Sequence, residues 1–125
     1  MIAGAVVRPN LFRHERVFHY RPGVSLRIDD RVYNETGSRW VSNLHLAPGL
    51  VPELEEGGFA VQVGDRAVHA TFDGPACELI ATMGATEPYQ GWVSTGYLEL
   101  TPAYVVSASC PADLVESSWR IDFAP

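Results

Sequence analysis

The sequence predicts an all-β domain, an antiparallel β-sandwich of about nine or ten strands with little or no helix. Apolar residues alternate with polar ones along most of the chain, which is the period of a half-buried strand. Turn-forming residues such as Pro22-Gly23, Gly64-Asp65 and Asp73-Gly74-Pro75 interrupt the alternation at strand-length intervals. No window of about a dozen residues carries apolar side chains at helical spacing.

The alternation and the turns together place the strands along the chain. We expect strands near residues 2–8, 12–20, 24–33, 38–46, 58–64, 66–73, 76–83, 97–101, 103–110 and 115–123, and long loops at residues 47–57 and 84–96. Gly64-Asp65 lies between two alternating runs and therefore predicts a tight hairpin. Trp40 and Trp119 alternate with other large apolar residues, so both indoles are predicted to lie in the core.

Length and charge limit the classes of partner. The 125 residues fit one domain, residues 1–125, and suffice to bury a core without disulfides or metals. Nine Lys and Arg against fifteen Asp and Glu give a formal net charge of −6, so we expect no nucleic-acid partner. The net negative charge also does not favour binding an acidic polysaccharide by overall electrostatic attraction. The chain has neither an apolar run long enough to span a membrane nor the features of a signal peptide, so no membrane partner is expected.

The cysteines and histidines do not predict a metal or cofactor site. Cys77 and Cys110 are too few for a disulfide framework and lie among apolar residues, which favours two buried thiols over a disulfide. The four histidines, at positions 14, 19, 45 and 69, are not spaced as pairs of ligands on one site. The chain also lacks the motifs of serine hydrolases, phosphate-binding loops and dinucleotide-binding folds. We therefore expect no cofactor and no catalytic residue.

One residue departs from the alternation in the third predicted strand. Val24, Leu26, Ile28 and Val32 share an apolar face, and Asp30 lies on that face with them. A carboxylate that is turned toward a core must be paired, because an isolated buried charge is too costly. The sequence before Asp30 should therefore supply a cationic or hydrogen-bonding partner.

The turn at Pro22-Gly23 decides which residue faces Asp30. This dipeptide predicts a turn with a positive φ at the glycine. A two-residue loop would set Glu15 opposite Asp30, and two like charges in that position are unfavourable. A three-residue loop that pairs Tyr20 with Val24 avoids this repulsion, so we favour the three-residue loop.

In that register His14 lies opposite Asp30 and Arg16 is its diagonal neighbour. His14, Arg16 and Asp30 are therefore predicted to form a polar cluster at one edge of the core. A satisfied ion pair that fixes the strand register is the favoured interpretation. A catalytic acid–base pair is the alternative, since ionisable groups with perturbed titration cluster at active sites.

Three aromatic residues near the loop 84–96 are candidates for carbohydrate binding. Tyr89, Trp92 and Tyr97 lie in or beside a segment that contains glycine and proline, and sugar rings stack on exposed aromatic faces. In the alternative that we favour, Trp92 folds back and caps the end of the sandwich.

Several segments resemble the all-β C-terminal domain of the heparinase II/III-like polysaccharide lyases. "HER" at residues 14–16 is similar to the family's "HRR" strand, although Glu15 departs from its second position. "RPGVSLRIDDRV" at 21–32 and "NLHLAPG" at 43–49 are similar to the following strands, which carry "vvDrv" and "hlaP". "YQGWVSTGYLELTPAYVVSASCPADL" at 89–114 is similar to the family's tail. The resemblance runs from about residue 10 to residue 123.

The resemblance implies a β-sandwich that is appended to an α-helical toroid, in enzymes that cleave uronate-containing polysaccharides by β-elimination. The toroid and the family's histidine-bearing "GHxxxD" and "HN" segments do not occur in this chain. We therefore assign no catalytic residue and no metal ligand from the family to this chain. We expect a domain that is inactive alone and that supports and forms one wall of an active-site cleft, whose other wall is the missing toroid. The resemblance further implies a longer protein, a periplasmic or secreted location and an acidic polysaccharide as ligand.

Two other functions remain open from the sequence. An autonomous carbohydrate-binding module would use Tyr89, Trp92 and Tyr97. A scaffold or interaction domain would pair through a sheet edge or form a homodimer through an exposed apolar face.

Overall fold

The computed structural model describes residues 12–74, 76–87 and 89–123, apart from the side chain of Tyr89. These residues form antiparallel strands and no helix, as the alternation predicts. The strands are β1 Phe12–Arg21, β2 Ser25–Asn34, β3 Trp40–His45, β4 Pro52–Glu55, β5 Gly58–Val63, β6 Arg66–Asp73, β7 Glu78–Met83, β8 Ala85–Thr86, β9 Tyr89–Gln90, β10 Trp92–Gly96, β11 Glu99–Pro102, β12 Tyr104–Cys110 and β13 Glu116–Asp122. The strand predicted at 2–8 lies outside the described residues.

Two sheets make the body of the sandwich-like fold. The larger sheet has six strands in the order β1-β2-β13-β6-β5-β4, and the smaller has three in the order β3-β12-β7. Two further ribbons, β8-β9 and β10-β11, connect β7 to β12. The smaller sheet has half as many strands as the larger one, so it cannot cover the larger sheet from edge to edge.

The core lies between the two sheets. The larger sheet contributes Ile28, Val32, Phe59, Ala70 and Trp119, and the smaller contributes Trp40, Val106, Ala108 and Cys110. Trp119 is fully buried and its ring centroid lies 4.7 Å from that of Phe72. Both indoles predicted to be in the core are therefore confirmed there.

The predicted number of strands was too low, because the loop predicted at 47–57 contains β4. This strand pairs Glu55 with Gly58, so the two-residue turn Glu56-Gly57 joins β4 to β5, with a φ of +74° at Gly57. Its sequence, Pro-Glu-Leu-Glu, has low β propensity and reads as a loop. Proline and charge are nevertheless acceptable on an edge strand, where one row of backbone groups faces solvent.

The loop predicted at 84–96 was also wrong, since it contains β8, β9 and β10. Trp92 pairs with Pro102 and Val93 with Thr101, and the register shifts between Ser94 and Gly96. This shift hides the regular alternation in the sequence. The tip of the hairpin takes the first residues of the strand that was predicted at 97–101, so β11 begins at Glu99.

The turns were predicted more accurately than the register that follows one of them. The hairpin at Gly64-Asp65 is confirmed, since Val63 pairs with Arg66. The positive φ at Gly23 is confirmed at +72°. The loop before β2 has three residues, but it pairs Arg21 with Ser25 instead of Tyr20 with Val24. Val24 belongs to the turn, where its N–H donates to the carbonyl of Arg21 at 2.9 Å, and it is exposed.

Candidate functional site

The carboxylate of Asp30 is the centre of the predicted polar cluster, and the structure brings its three members together. Its side chain has no solvent exposure. Arg16 forms a two-pronged ion pair with it, donating from Nε to Oδ1 at 2.7 Å and from Nη2 to Oδ2 at 3.1 Å. Nε2 of His14 lies 2.8 Å from Oδ1.

The register reverses the predicted roles of the two partners. Arg16 is directly opposite Asp30, and His14 is opposite Val32, so His14 is the diagonal neighbour. The observed pairing is shifted by two residues from the predicted one. A shift of two leaves every side chain on the same face, which is why the cluster forms in spite of the wrong pairing.

Ser42 on β3 extends the cluster to the second sheet, and the sequence analysis missed it. Its hydroxyl lies 3.4 Å from Oδ2 of Asp30 and accepts the indole N–H of Trp119 at 2.9 Å. The chain of contacts from Arg16 through Asp30 and Ser42 to Trp119 therefore crosses the core. A serine at an inward-facing position of β3, two residues after Trp40, was the available signal.

The hydrogen bonding of Asp30 suits a structural role. Oδ1 faces His14 and Arg16, while Oδ2 faces Arg16 and Ser42, so each oxygen has two donors within reach. A carboxylate has about four lone-pair sites, which these donors occupy. A general base needs a free site that faces the proton it removes, and the buried Asp30 does not present one.

A crevice of about 290 Å³ lies beside the cluster, between the free sides of β1 and β3. Its lining includes His14 and Arg16 from β1, and Trp40, Asn43 and His45 from β3. His14 and Arg16 keep 38% and 27% of their side-chain surface exposed. Phe12 also lines the crevice, is 42% exposed and packs on the buried Trp40, so the crevice combines partly exposed basic side chains with aromatic surface.

Next to the crevice, β1 carries an apolar face that the smaller sheet does not cover. Phe18 and Tyr20 pair with Ile28 and Leu26, and so they lie on the core-facing side of the larger sheet. Phe18 is nevertheless 59% exposed and Tyr20 is 63% exposed. We call this surface, formed by Phe18 and Tyr20, the uncovered aromatic face.

The opposite side of the larger sheet is charged. A shallow depression of about 700 Å³ is lined by the carboxylates of Glu15, Asp29, Asp73 and Glu116. Arg31 lies among them and donates to Glu116 at 2.6 Å. Four carboxylates against one lining guanidinium make this surface a poor site for an anionic ligand.

The three aromatic candidates for carbohydrate binding do not share one surface in the described part of the structure. Trp92 is half-buried, and its indole N–H donates to the carbonyl of Ala85 at 2.9 Å. Tyr97 is 91% exposed at the tip of the β10-β11 hairpin. Five residues of a strand span about 16 Å, so Trp92 and Tyr97 occupy opposite ends of the hairpin. The side chain of Tyr89 lies outside the described structure.

The described residues contain no group of three or more His, Cys, Asp or Glu side chains that could hold a metal ion. They also contain no helix that is long and apolar enough to cross a membrane. Comparisons with protein-family models, with curated proteins and with solved structures found no match to the chain.

Proposed function

We propose that this chain is a non-catalytic β-sandwich domain of a heparinase II/III-like polysaccharide lyase. In this role its uncovered aromatic face docks against an α-helical toroid, and the neighbouring crevice forms one wall of the polysaccharide cleft between the two bodies. The observation that carries the proposal is the exposure of Phe18 and Tyr20 on the core-facing side of a sheet.

The docking part of the proposal depends on the unequal sizes of the two sheets. Side chains on the core-facing side of a sandwich are normally covered by the second sheet. Here β1 extends past the three-stranded sheet, and the two aromatic side chains stay exposed. A second body that covers both rings would remove a substantial apolar area from water, worth about 1.5–3 kcal/mol per side chain.

The crevice supports the second part of the proposal. Uronates carry carboxylates, which guanidinium and imidazole donors bind well, and sugar rings pack on aromatic surface. Arg16, His14 and the exposed ring of Phe12, all on β1, place these groups beside the uncovered aromatic face. The anionic depression lies on the opposite side of the sheet. An anionic ligand therefore suits the crevice and not the depression.

The test is to read the coding sequence upstream of Met1 and to supply the toroid it encodes as a separate domain. We expect a one-to-one complex by analytical ultracentrifugation. Replacing both Phe18→Ser and Tyr20→Ser should weaken the complex about 100-fold, because two aromatic contacts are lost. The unfolding free energy of the variant should change by less than about 0.5 kcal/mol, since both side chains are exposed.

Tyr97→Ser is the matched control, because it removes an even more exposed tyrosine that is not part of the uncovered aromatic face, and it should leave the complex unchanged. An upstream sequence without helical segments would contradict the proposal. So would a double variant that binds the toroid as tightly as the original chain, or release of unsaturated uronate product by the 125-residue chain alone.

A carbohydrate-binding module is the second candidate, and one observation favours it. Tyr97 and Leu98 are 91% and 89% exposed at the hairpin tip, and Leu98 has a φ of +60°. A leucine in the left-handed region costs about 1 kcal/mol, and strain of this kind often accompanies function. In this role, Tyr97 would stack on a sugar ring.

This second function predicts that an oligosaccharide binds the isolated chain in isothermal titration calorimetry. Tyr97→Ala should then reduce the affinity at least tenfold, because stacking one aromatic side chain on a ligand ring contributes about 1–3 kcal/mol to the binding free energy. Tyr20→Ala is the control and should have no effect on this binding. Equal affinities for the original chain and Tyr97→Ala would exclude the hairpin tip as the binding surface.

A further inference from the structure

Cys77 immediately precedes β7, and Cys110 is the last residue of the neighbouring strand β12. In the antiparallel pair of β7 and β12, Ser109 lies opposite Glu78, so the same register sets Cys110 opposite Cys77 at the next position. Both residues lie on the core side, where Cys110 is buried and Cys77 packs against the core cluster. Opposed residues in such a pair have Cα atoms about 4.5–5.5 Å apart, which a disulfide can bridge.

The two thiols also contact each other. Burial raises the pKa of the Cys110 thiol, and a hydrogen bond between the side chains of Cys110 and Cys77 raises this pKa further. Cys110 Sγ makes a second contact with the carbonyl of Ala108 at 3.5 Å. The side chains therefore already approach each other without a change in the strand register.

One of the two thiols borders a cleft that is open to solvent. The cleft measures about 210 Å³ and is lined by Leu54, Phe72 and Cys77, among others. Gly74 permits the close packing here, since a Cβ on this residue would lie 2.5 Å from Cε2 of Phe72 and 3.1 Å from Sγ of Cys77. A small reagent therefore reaches Cys77 first, whereas Cys110 is fully buried.

We propose that Cys77 and Cys110 form a redox modification site, at which a low-molecular-weight disulfide such as oxidised glutathione converts the two thiols into a cross-strand disulfide. The thiolate of Cys77 attacks one sulfur of the reagent, whose S–S bond breaks and releases one reagent thiol. Cys110 then attacks Sγ of Cys77 and gives its proton to the departing reagent thiolate, which breaks the mixed disulfide and releases the second reagent thiol. Two protein thiols are oxidised and the reagent disulfide is reduced to two thiols.

The disulfide would join the residue before β7 to the last residue of β12 and enclose both small ribbons, β8-β9 and β10-β11, in one loop. A covalent link that closes a loop of this length restricts the unfolded chain. We therefore expect the oxidised protein to have a Tm about 10 °C higher than the reduced protein.

The experiment treats the native 125-residue chain with oxidised glutathione and follows it by intact mass and peptide mapping. We expect a product that has lost two hydrogen atoms, with Cys77 linked to Cys110, together with the rise in Tm. In Cys110→Ala the second step cannot occur, so a stable mixed disulfide between Cys77 and glutathione should accumulate. Cys77→Ala should stay unmodified while folded, because the remaining thiol is buried.

Three results of treating the native protein with oxidised glutathione would overturn this inference. The protein could retain both thiols, it could stop at the mixed disulfide with glutathione, or it could form disulfides that link two chains. These results do not depend on the alanine variants, so the inference stays testable if Cys110→Ala fails to fold.

Discussion

Replacing Asp30 with alanine is expected to lower the free energy of unfolding by about 3 kcal/mol. The substitution leaves Arg16, His14 and Ser42 without the carboxylate that they contact. Removing one partner of a buried ion pair costs about 3–5 kcal/mol. The lower end applies here, because Arg16 and His14 keep 27% and 38% of their side-chain surface exposed and can turn toward water. Urea unfolding followed by circular dichroism measures the loss.

Asp29→Ala is the matched control for this prediction. Asp29 is the adjacent residue, but its side chain points to the outer surface and is 40% exposed, with His19 Nε2 at 3.0 Å. Exposed ion pairs contribute less than about 1 kcal/mol, so this variant should lose little stability. A loss below about 0.5 kcal/mol in Asp30→Ala would mean that water solvates Asp30, and it would contradict the buried cluster.

Gly91→Ala is expected to cost about 3 kcal/mol, the second large effect. Gly91 has a φ of +83°, and a Cβ there would lie 2.7 Å from Cα of Met83 and 2.7 Å from the amide nitrogen of Gly84. Both atoms belong to the backbone and cannot move aside by rotating a side chain. The substitution would also disturb the Gly91 carbonyl, which accepts the N–H groups of Gly84 and Ala103. Denaturant unfolding measures the effect.

Gly84→Ala separates the two causes of this loss. Gly84 also has a positive φ, of +63°, but a Cβ there would meet only side-chain atoms of Pro102 and Trp92 at 3.7 and 3.8 Å. Only the backbone strain of about 1 kcal/mol should then appear. Equal losses in Gly84→Ala and Gly91→Ala would show that the segment around Gly91 does not pack against Met83 as described.

Period-two alternation was enough to predict most of the six-stranded and three-stranded sheets, because apolar and polar residues alternate along most of their strands, even though β12 is buried on both sides. It failed for β4 and β10, where the strands are short, polar or interrupted by a register shift. At these places pairing with a neighbouring strand outweighs the low propensity of the local sequence, and a single sequence does not reveal that pairing.

The polar cluster could be predicted because a buried Asp30 needs a partner. Only every second residue of β1 lies on the same side of the sheet as Asp30 and can supply that partner. The exact pairing could not be predicted, since a three-residue loop can be placed in more than one way around Gly23. Ser42 and the uncovered aromatic face depend on where the second sheet lies. The alternation of β1 and β2 does not contain that information.

The position of β13 within the larger sheet has a consequence for synthesis of the chain. β13 lies between β2 and β6, so residues 25 and 122 become neighbours although most of the chain separates them. While the polypeptide is still emerging from the ribosome, the hairpins β1-β2 and β5-β6 can form, but the strand that belongs between β2 and β6 has not yet been made. The main core can therefore assemble only after the last of these strands has left the exit tunnel, and nascent chains without it should depend on chaperones to avoid aggregation.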